Sequence, residues 1–588
     1  MDRTIAVLYG SETGNAHDLA ETLVSNLERF HFNILLSSLD TFELPRLIDL
    51  KYVIIICSTT GQGEFPSNAR KFWKFMLRKK LPNNLLTNVH FTTFGLGDSS
   101  YPKFNWAIKK LHNRFLQLGA KELSKRAEAD EQSSQGIDGF YVEFEKLLIT
   151  NLLRLEPLDL LGLEPISEDQ LLPPKIKLVI NKLKPKKLTN DNLKTISLNR
   201  TNNAGLKKAI VSINRRITAE DHFQDVRHFQ LFDEDIEIYS PGDTISLYPS
   251  NSVENVNQFI EILQLESVAD KKVYLENLPS LMEGGIISTL TLRSLITHHL
   301  DISSIPRRSF FKLLYKFATD EREISKLKEF SSFNDPEELY NYCNRPRRSI
   351  LEVLQEFFSV KIPIEYLCDL IPFIKPRLFS ISSGFIKAQQ KTVDLTIAVV
   401  EYQTKIKRTR KGLCTTWIKT LEENDKIIYK LNKNNLNFRE NSPIIMIAPG
   451  TGIAPMRSLI QHSIESKGYD KEKLYLFFGN RYFTKDFHYR EELLKYEEQN
   501  KLTLFTNFSR EQQGYVQDSL YLHSKLVVKL LTSKNAIIFV CGSSGKMPTQ
   551  VRITFETILQ EELELSVEES KKYLLELETH NRYIQETW

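Results

Sequence analysis

Short hydrophobic runs alternate with amphipathic stretches over residues 1–150. The runs at residues 5–9, 52–57 and 90–96 have the length of buried strands, and each is followed by a turn rich in Gly, Ser and Thr. The stretches between them show the spacing of helices that pack on a sheet. This pattern predicts a doubly wound parallel sheet, whose ligand binds at the carboxyl ends of the strands.

The pattern divides the rest of the chain into three parts. Residues 151–205 are rich in Pro, Lys, Asn and Leu without a sustained period, which predicts a linker with a strand at 174–180 leading into the next domain. Residues 206–440 hold strand-like runs at 209–214, 243–248 and 392–402 around an insert of helical spacing at about 255–370. Residues 441–588 return to strand–helix alternation, with strands at 444–447, 474–478, 502–505 and 537–540.

Composition narrows the functional classes. At 588 residues the chain is long enough for about three or four domains. The formal charge of +4 argues against a polyanion-binding protein driven by bulk charge. The five cysteines include no CxxC pair, so we expect neither a disulfide framework nor a metal site. No run reaches the ~20 apolar residues of a membrane span and no targeting signal is evident, so we expect a soluble cytoplasmic protein.

The first turn offers donors for a phosphate group. It consists of Ser11, Glu12, Thr13, Gly14, Asn15 and Ala16, and we call it the 11–16 loop. Hydroxyl groups and the free N–H groups at a helix start can hold a phosphate monoester without a lysine. An ordinary strand-to-helix turn with an N-cap would explain these residues as well.

Two later turns favour a ligand site over an ordinary turn, because these two turns and the 11–16 loop would meet at one edge of a parallel sheet. Glycines let the backbone approach a flat ring, and Tyr101 offers an aromatic plane for stacking. The second turn is Ser58, Thr59, Thr60, Gly61, Gln62 and Gly63; the third is Leu96, Gly97, Asp98, Ser99, Ser100, Tyr101, Pro102, Lys103, Phe104 and Asn105. Together they resemble the FMN site of flavodoxins, and Asp130 with Glu131 resembles its fourth segment, although both acids would also suit a solvent-exposed surface.

Two segments in the middle of the chain resemble the FAD site of the ferredoxin-reductase superfamily. The first is Arg377, Leu378, Phe379 and Ser380; the second is Gly412, Leu413, Cys414 and Thr415. The resemblance implies that Arg377 pairs with the FAD pyrophosphate, that Phe379 packs on the isoalloxazine and that Ser380 lies near its reactive nitrogen. Phe379 stands where the motif usually has Tyr, which keeps the stacking surface and removes a hydroxyl donor.

The turn after residue 447 resembles the nicotinamide-nucleotide loop of the same superfamily. It contains Thr451, and Pro455 replaces the last Gly of GxGxxG. The resemblance implies further contacts from Arg481, Ser509, Arg510, Gln513, Gly514, Tyr515, Val516 and Gln517. Arg481 and Arg510 favour NADPH over NADH, because a charge-assisted hydrogen bond of roughly 1.5–3 kcal/mol corresponds to about ten- to hundredfold. Gln513 replaces a cation usual in this family, and Arg510 would also suit a solvated surface.

Together these motifs cover nearly the whole chain, which resembles the NADPH-dependent diflavin reductases. The resemblance implies catalytic roles for Ser380, Cys541, Glu586 and Trp588, with Trp588 stacking on FAD until nicotinamide displaces it. A buried Cys541 before a turn and a frayed C-terminal Trp588 are the simpler interpretations.

Within that family, the stretches at 291–293, 300–302, 306–311 and 344–348 resemble the cytosolic members that serve iron–sulfur protein assembly. The resemblance implies an FAD contact from Arg347, NADPH as electron donor and an anamorsin-like iron–sulfur protein as electron acceptor. It also implies a cytoplasmic location, with which association with mitochondria is compatible. A general cytochrome reductase and a flavin-retaining, non-catalytic scaffold remain alternatives; a nucleic-acid role has only the Lys-rich linker in its favour. A basic run at 70–80 would steer an acidic partner or simply form a solvated helix face.

Overall fold

The computed structural model describes most of the chain in a series of ranges. They are 3–60, 63–101, 103–133, 136–180, 205–277, 290–333, 335–385, 390–404, 407–434, 436, 438, 442–465, 473–511 and 514–587. The predicted residues Gly61, Gln62, Pro102, Gln513 and Trp588 lie outside them.

The N-terminal part folds as the predicted doubly wound sheet. Its strands are β1 (Thr4–Gly10), β2 (Asn33–Ser38), β3 (Tyr52–Ser58), β4 (His90–Gly97), β5 (Lys121–Glu122) and β6 (Ala127–Asp130). All pairings are parallel in the order β2-β1-β3-β4-β5, and β6 also pairs with β4. The helices are Asn15–Glu28, Arg70–Met76, Trp106–Gln117 and Gly136–Leu155. The carboxyl ends of β1, β3 and β4 therefore meet at one edge, as the pattern predicts.

The middle of the chain contains an antiparallel barrel-like sheet. Strands in this part are β7 (Lys177–Ile180), β8 (Lys207–Arg216), β9 (Val226–Phe232), β10 (Thr244–Leu247), β11 (Val273–Glu276), β12 (Arg377–Ser380), β13 (Thr392–Ala398), β14 (Glu401–Gln403), β15 (Thr409–Lys411) and β16 (Lys426–Asn432). The six-stranded sheet runs β12-β10-β16-β8-β9-β13, and the helix Leu413–Thr420 covers it. The run predicted as one strand at 392–402 is broken between β13 and β14.

A helical insert interrupts this sheet between β10 and β12. Its helices are Val253–Ile262, Leu292–His298, Arg308–Leu314, Glu321–Ser331, Pro336–Leu339, Ile350–Glu356 and Leu367–Leu370, with a π-helix at Tyr340–Asn344. They share one large apolar core that includes Phe259, Phe311 and Phe330. The repeated helical spacing arises because each helix buries a single face in this core.

The C-terminal part is a five-stranded parallel sheet. Its strands are β17 (Ile444–Pro449), β18 (Leu474–Asn480), β19 (Thr503–Phe508), β20 (Ile537–Gly542) and β21 (Tyr583–Thr587), in the order β19-β18-β17-β20-β21. The helices are Ile453–Glu465, Phe483–Asp486, Arg490–Glu498, Val516–Leu522, Ser524–Ser533, Lys546–Leu563 and Val567–Thr579. Residues 583–587 thus form an edge strand of this sheet, paired with β20, and not a frayed tail.

A buried arginine joins the last domain to the barrel. Arg457 Nη1 donates to Ser382 O at 2.9 Å and to Asp394 Oδ2 at 3.0 Å, and its Nε donates to Glu492 at 2.8 Å. The carboxylates of Asp394 and Glu492 are thereby paired with a cation at the interface, as ionic groups removed from water require. This contact fixes the barrel against the C-terminal sheet.

The first half of the predicted linker contacts the N-terminal domain and the insert. The helix that begins at Gly136 continues through Leu155, past the expected boundary at 150. Ile166 N donates to Arg29 O at 2.8 Å, and Tyr366 of the insert donates to Leu172 O at 2.9 Å. Strand β7 pairs with β11 of the insert. Residues 156–180 thus fasten the N-terminal domain to the insert, and 181–204 lie outside the described ranges.

Within the described ranges, no helix combines the length and the apolar character that crossing a bilayer requires.

Candidate cofactor sites

The loops at the N-terminal sheet edge contact one another directly. Thr59 N donates to Leu96 O at 2.9 Å, and the Ser58 hydroxyl donates to Gly10 O at 3.4 Å. Lys103 packs so closely on Gly63 that an added Cβ would meet it at 2.7 Å. The structure therefore brings the three predicted FMN-binding turns together, because β1, β3 and β4 are adjacent parallel strands.

The 11–16 loop has the chemistry of a phosphate cradle. Gly14, with φ of +102°, precedes the helix Asn15–Glu28, whose first N–H groups are available. Ser11 Oγ is buried and has no hydrogen-bond partner among the described residues. Since an orphaned buried hydroxyl is unfavourable, a phosphate oxygen at this place would satisfy it. The residues present therefore fit the phosphate end of FMN.

Some predicted FMN residues serve the loops instead of facing a ligand. The Glu12 carboxylate accepts from Ser67 N at 2.7 Å, which leaves its backbone as the contact for a phosphate. Ala16 and Leu96 are buried in the domain core. The Asn105 amide is buried and donates to Ala129 O at 3.0 Å, which ties the third turn to the fourth segment.

The fourth segment holds the third turn in place. Asp130 Oδ1 accepts from Ser99 N at 2.9 Å, and hydrogen bonds from Ser99 and Gln132 lower the pKa of Asp130. Glu131 N donates to Gly97 O at 2.9 Å. Tyr101 follows on this braced loop with 56% of its surface exposed, which is suitable for stacking on a flat ring.

The FAD motif lies on β12, at the edge of the barrel sheet. Arg377 is exposed, Leu378 is 63% exposed, and Phe379 packs on the barrel core. Antiparallel pairing sets Ser380 opposite Thr244 of β10. An exposed guanidinium beside an exposed apolar side chain fits a dinucleotide that has both a pyrophosphate and flat rings.

The second FAD segment presents main-chain donors. Gly412 precedes the helix Leu413–Thr420, so the N–H groups of the first turn face outward from the helix start. Cys414 is buried, and the Thr415 hydroxyl accepts from Val400 N at 3.0 Å. The Thr415 hydroxyl is therefore engaged inside the protein, and Gly412 N donates to Val400 O at 2.8 Å, which leaves the amides of 413–415 for a pyrophosphate.

The predicted FAD residue Arg347 is exposed and lies near this segment. It has a left-handed backbone with φ of 53°. Arg410 of β15 donates to Pro346 O at 2.9 Å and pairs with Glu352 at 2.8 Å. These bonds hold the segment that carries Arg347 against the strand that leads into Gly412.

The nucleotide turn of the last domain lies at the centre of its sheet. Thr451 sits between β17 and the helix Ile453–Glu465, and Gly452 approaches Cys541 O so closely that a Cβ would collide with it. Only glycine therefore permits this contact between the turn and the end of β20.

The two candidate cations for the NADPH phosphate share one sheet edge. Ser509 N donates to Asn480 O at 2.9 Å, and Arg510 N donates to Arg481 O at 3.0 Å. The Arg481 guanidinium lies over the ring of Phe223 from the barrel, 4.1 Å from its centroid. The buried Asn507 Oδ1 has no partner among the described residues, and Gly514 packs beside that side chain. The two arginine side chains fit a nucleotide with an additional phosphate, and the orphaned Asn507 oxygen would suit a hydroxyl or amino donor of that nucleotide.

Near this edge, two predicted residues differ in exposure. Tyr515 is 63% exposed at the start of the helix Val516–Leu522, which also carries Gln517. The Val516 side chain is buried against Gly479. Val516 therefore supports the strand end, and its side chain is not accessible to a nucleotide.

Cys541 and Glu586 are neighbours across β20 and β21. Burial raises the pKa of the Cys541 thiol well above its usual range, so it is a neutral thiol and not a thiolate. Burial raises the pKa of Glu586 to about 7, although a hydrogen bond from Asn434 Nδ2 lowers it. Glu586 therefore changes charge near neutral pH.

Asn434 connects this acid to the FAD motif. Its backbone N donates to Asp243 Oδ1 at 2.8 Å, and Ile381 N donates to Asp243 O at 3.1 Å. Ile381 directly follows Ser380, so a short path of bonds joins Glu586 to Ser380. The sequence indicated Asp243 only as the start of a strand-like run and contained no signal for Asn434, because their role depends on contact between two domains.

Three family models match the chain in the order of these sites. Residues 7–141 match flavodoxin, residues 205–417 match the FAD binding domain, and residues 446–552 match the oxidoreductase NAD-binding domain. They confirm the predicted fold classes and the predicted cofactors FMN, FAD and NADPH.

Known proteins resemble the chain over its full length. It is 47% identical to NADPH-dependent diflavin oxidoreductase 1 of Debaryomyces hansenii, over 99% of this chain and 98% of that protein. The proteins of the same name from Candida albicans and Saccharomyces cerevisiae are 46% and 41% identical, covering 100% of this chain and 100% and 99% of their own lengths.

Proposed function

Because the chain belongs to the family of NADPH-dependent diflavin oxidoreductases, we propose that it passes electrons from NADPH through FAD and FMN to an anamorsin-like iron–sulfur protein of cytosolic iron–sulfur cluster assembly. The observation that carries the proposal is the path of bonds from Glu586 through Asn434 and Asp243 to the residue after Ser380. This path lies at the junction of the FAD and NADPH domains, and we propose that hydride transfer takes place beside it.

The residues around this junction have distinct tasks. When bound, the flavins accept two electrons as a hydride and release them singly. Ser380 would offer a hydroxyl to a bound FAD ring, and the neutral Cys541 thiol would border a bound nicotinamide without adding charge. Ionised Glu586 stabilises the positive charge that a nicotinamide ring gains as it loses hydride. The contacts of Arg457 keep both domains in register for this geometry.

The choice of acceptor is supported by two features. The insert segments at 306–311 and 344–348 resemble the cytosolic assembly members of the family, and a basic surface follows the second FMN turn. Lys71, Lys74 and Lys79 are exposed on and after the helix Arg70–Met76, whereas Arg70 is paired with Glu64 at 3.4 Å. Such a surface would steer an acidic partner toward FMN.

Partner reduction provides the test of the acceptor. The triple variant with Lys71, Lys74 and Lys79 changed to Glu should reduce the iron–sulfur protein more slowly than the wild type, while ferricyanide reduction stays unchanged. Equal losses for both acceptors would indicate damage to folding. Faster turnover of a haem protein than of the iron–sulfur protein by the wild type would favour the general cytochrome reductase instead.

Rapid bleaching of both flavins by NADPH should exclude the non-catalytic scaffold. We propose a cytoplasmic location, and fractionation of cells that express a tagged full-length chain would test it against mitochondrial association.

A further inference from the structure

One helix of the insert packs along the first helix of the N-terminal domain. Ser309 Oγ donates to Asp18, and Lys312 Nζ donates to Asn26 Oδ1 at 2.6 Å. Arg308, between the insert and the domain, pairs with Asp138. The insert therefore docks on the helix that begins at the 11–16 loop.

Arg307, immediately before this insert helix, contacts the loop itself. Its Nη2 donates to Thr13 O at 3.0 Å, and its Nη1 donates to Gly14 O. A Cβ added to Gly14 would collide with the guanidinium. Glycine at this position thus allows the positive φ of the turn and also leaves room for an arginine from a distant part of the chain.

The charge of Arg307 is available to a ligand. The 11–16 loop contains Glu12 and no Lys or Arg. In the part of the chain that the structure describes, no carboxylate lies within 4.0 Å of the guanidinium. Burial raises the pKa of Asp18, and the positive charge of Arg307 opposes that shift. A phosphate dianion in the loop would gain from the same charge.

We propose that Arg307 is a phosphate-loop cation that the insert supplies across the domain boundary, so that bound FMN and the docked arrangement stabilise each other. A ligand that binds the docked state more tightly also favours docking, because the coupling is reciprocal. The inference rests on the assignment of the 11–16 loop to the FMN phosphate.

Riboflavin is a suitable probe because it has the ring and the ribityl chain of FMN and lacks the phosphate. The dissociation constants of FMN and riboflavin would be measured on the full chain, depleted of FMN and retaining FAD. Arg307→Gln should lower the ratio of FMN affinity to riboflavin affinity by about three- to tenfold at physiological salt, and Arg307→Lys should restore most of it. High salt should shrink the difference.

Lys312→Gln is the matched control. It removes a cation from the contact between the same two helices, but far from the 11–16 loop. Lys312 contacts Asn26, which lies about 16 Å along the helix from Asn15 of the loop, at roughly 1.5 Å per residue. This exceeds the Debye length of about 8 Å at physiological salt, so the ratio should not change. An equal fall in Lys312→Gln and Arg307→Gln would overturn the proposal in favour of general interface charge.

Ser11→Ala separates the two assumptions, because Ser11 Oγ is the loop's orphaned hydroxyl. If Ser11→Ala lowers the ratio and Arg307→Gln does not, the role of Arg307 is refuted and the loop assignment stands. If neither lowers it, the loop assignment fails and the inference fails with it. Small-angle scattering should show a more compact FMN-loaded than riboflavin-loaded protein, and equal radii would refute the reciprocal docking.

Discussion

The bond from Asn434 to Glu586 allows a quantitative test of the hydride-transfer site. Burial raises the pKa of Glu586 to about 7, and the donated hydrogen bond keeps it from rising further. In Asn434→Ala the ionised carboxylate loses this donor. A hydrogen bond to a charged group contributes about 1.5–3 kcal/mol, and one pKa unit corresponds to about 1.4 kcal/mol. We therefore expect the pKa of Glu586 to rise by about 1–2 units.

The sign of the effect on rate follows from the role of the carboxylate. If ionised Glu586 supports hydride transfer, the rate falls as pH drops through its pKa. With a shift of about one unit from about 7, the ionised fraction at about pH 7.5 falls from roughly three-quarters to one-quarter. Flavin reduction by saturating NADPH should therefore be about threefold slower in the variant at that pH, and the two rates should converge at high pH.

Stopped-flow absorbance across a pH series measures this directly. Asn432→Ala is the control, since its amide donates to Ser246 Oγ at 2.8 Å instead of a carboxylate. Glu586→Gln should abolish the acidic limb of the profile. A uniform loss at every pH in Asn434→Ala, or an unchanged limb in Glu586→Gln, would refute the reasoning.

Three further predictions concern other parts of the molecule. Arg510→Ala should lower the preference for NADPH over NADH by about ten- to hundredfold in kcat/KM; an unchanged ratio would identify Arg510 as a solvated surface charge. Asp130→Asn should weaken FMN retention because Ser99 N loses a charged acceptor, and fluorescence of released FMN would show it; equal retention would contradict the bracing role. Arg457→Leu should lower the melting temperature through a loss of about 3–5 kcal/mol, because the buried Asp394 and the partly buried Glu492 lose their cation. Lys485→Leu, at an exposed ion pair with Asp221, is its control and should change stability by less than about 1 kcal/mol.

The sequence predicted the central strands well because they are buried on both faces. Strands β1, β3, β17, β18 and β20 are nearly continuous apolar runs, so their position was evident without tertiary information. Strand β4 buries Thr92 and Thr93 as well, and the Gly- and Ser-containing turn after it marked its end. Edge strands showed a weaker hydrophobic pattern in the sequence. Strand β2 is only partly buried, and β21 ends in polar residues, so neither was predicted.

The sequence also determined which chemical groups are present at each turn, since glycines, hydroxyls and arginines occur at fixed distances from strand ends. Only the tertiary structure decided which of these groups are engaged within the protein and with which partner. It engaged the Thr415 hydroxyl with Val400, buried Val516 against Gly479, and brought Arg307 to Gly14 and Asn434 to Glu586. These pairs lie far apart along the chain or depend on local packing, and a hydrophobic pattern records burial but not the partner. Contacts between domains are therefore the part of the site that sequence reasoning could not reach.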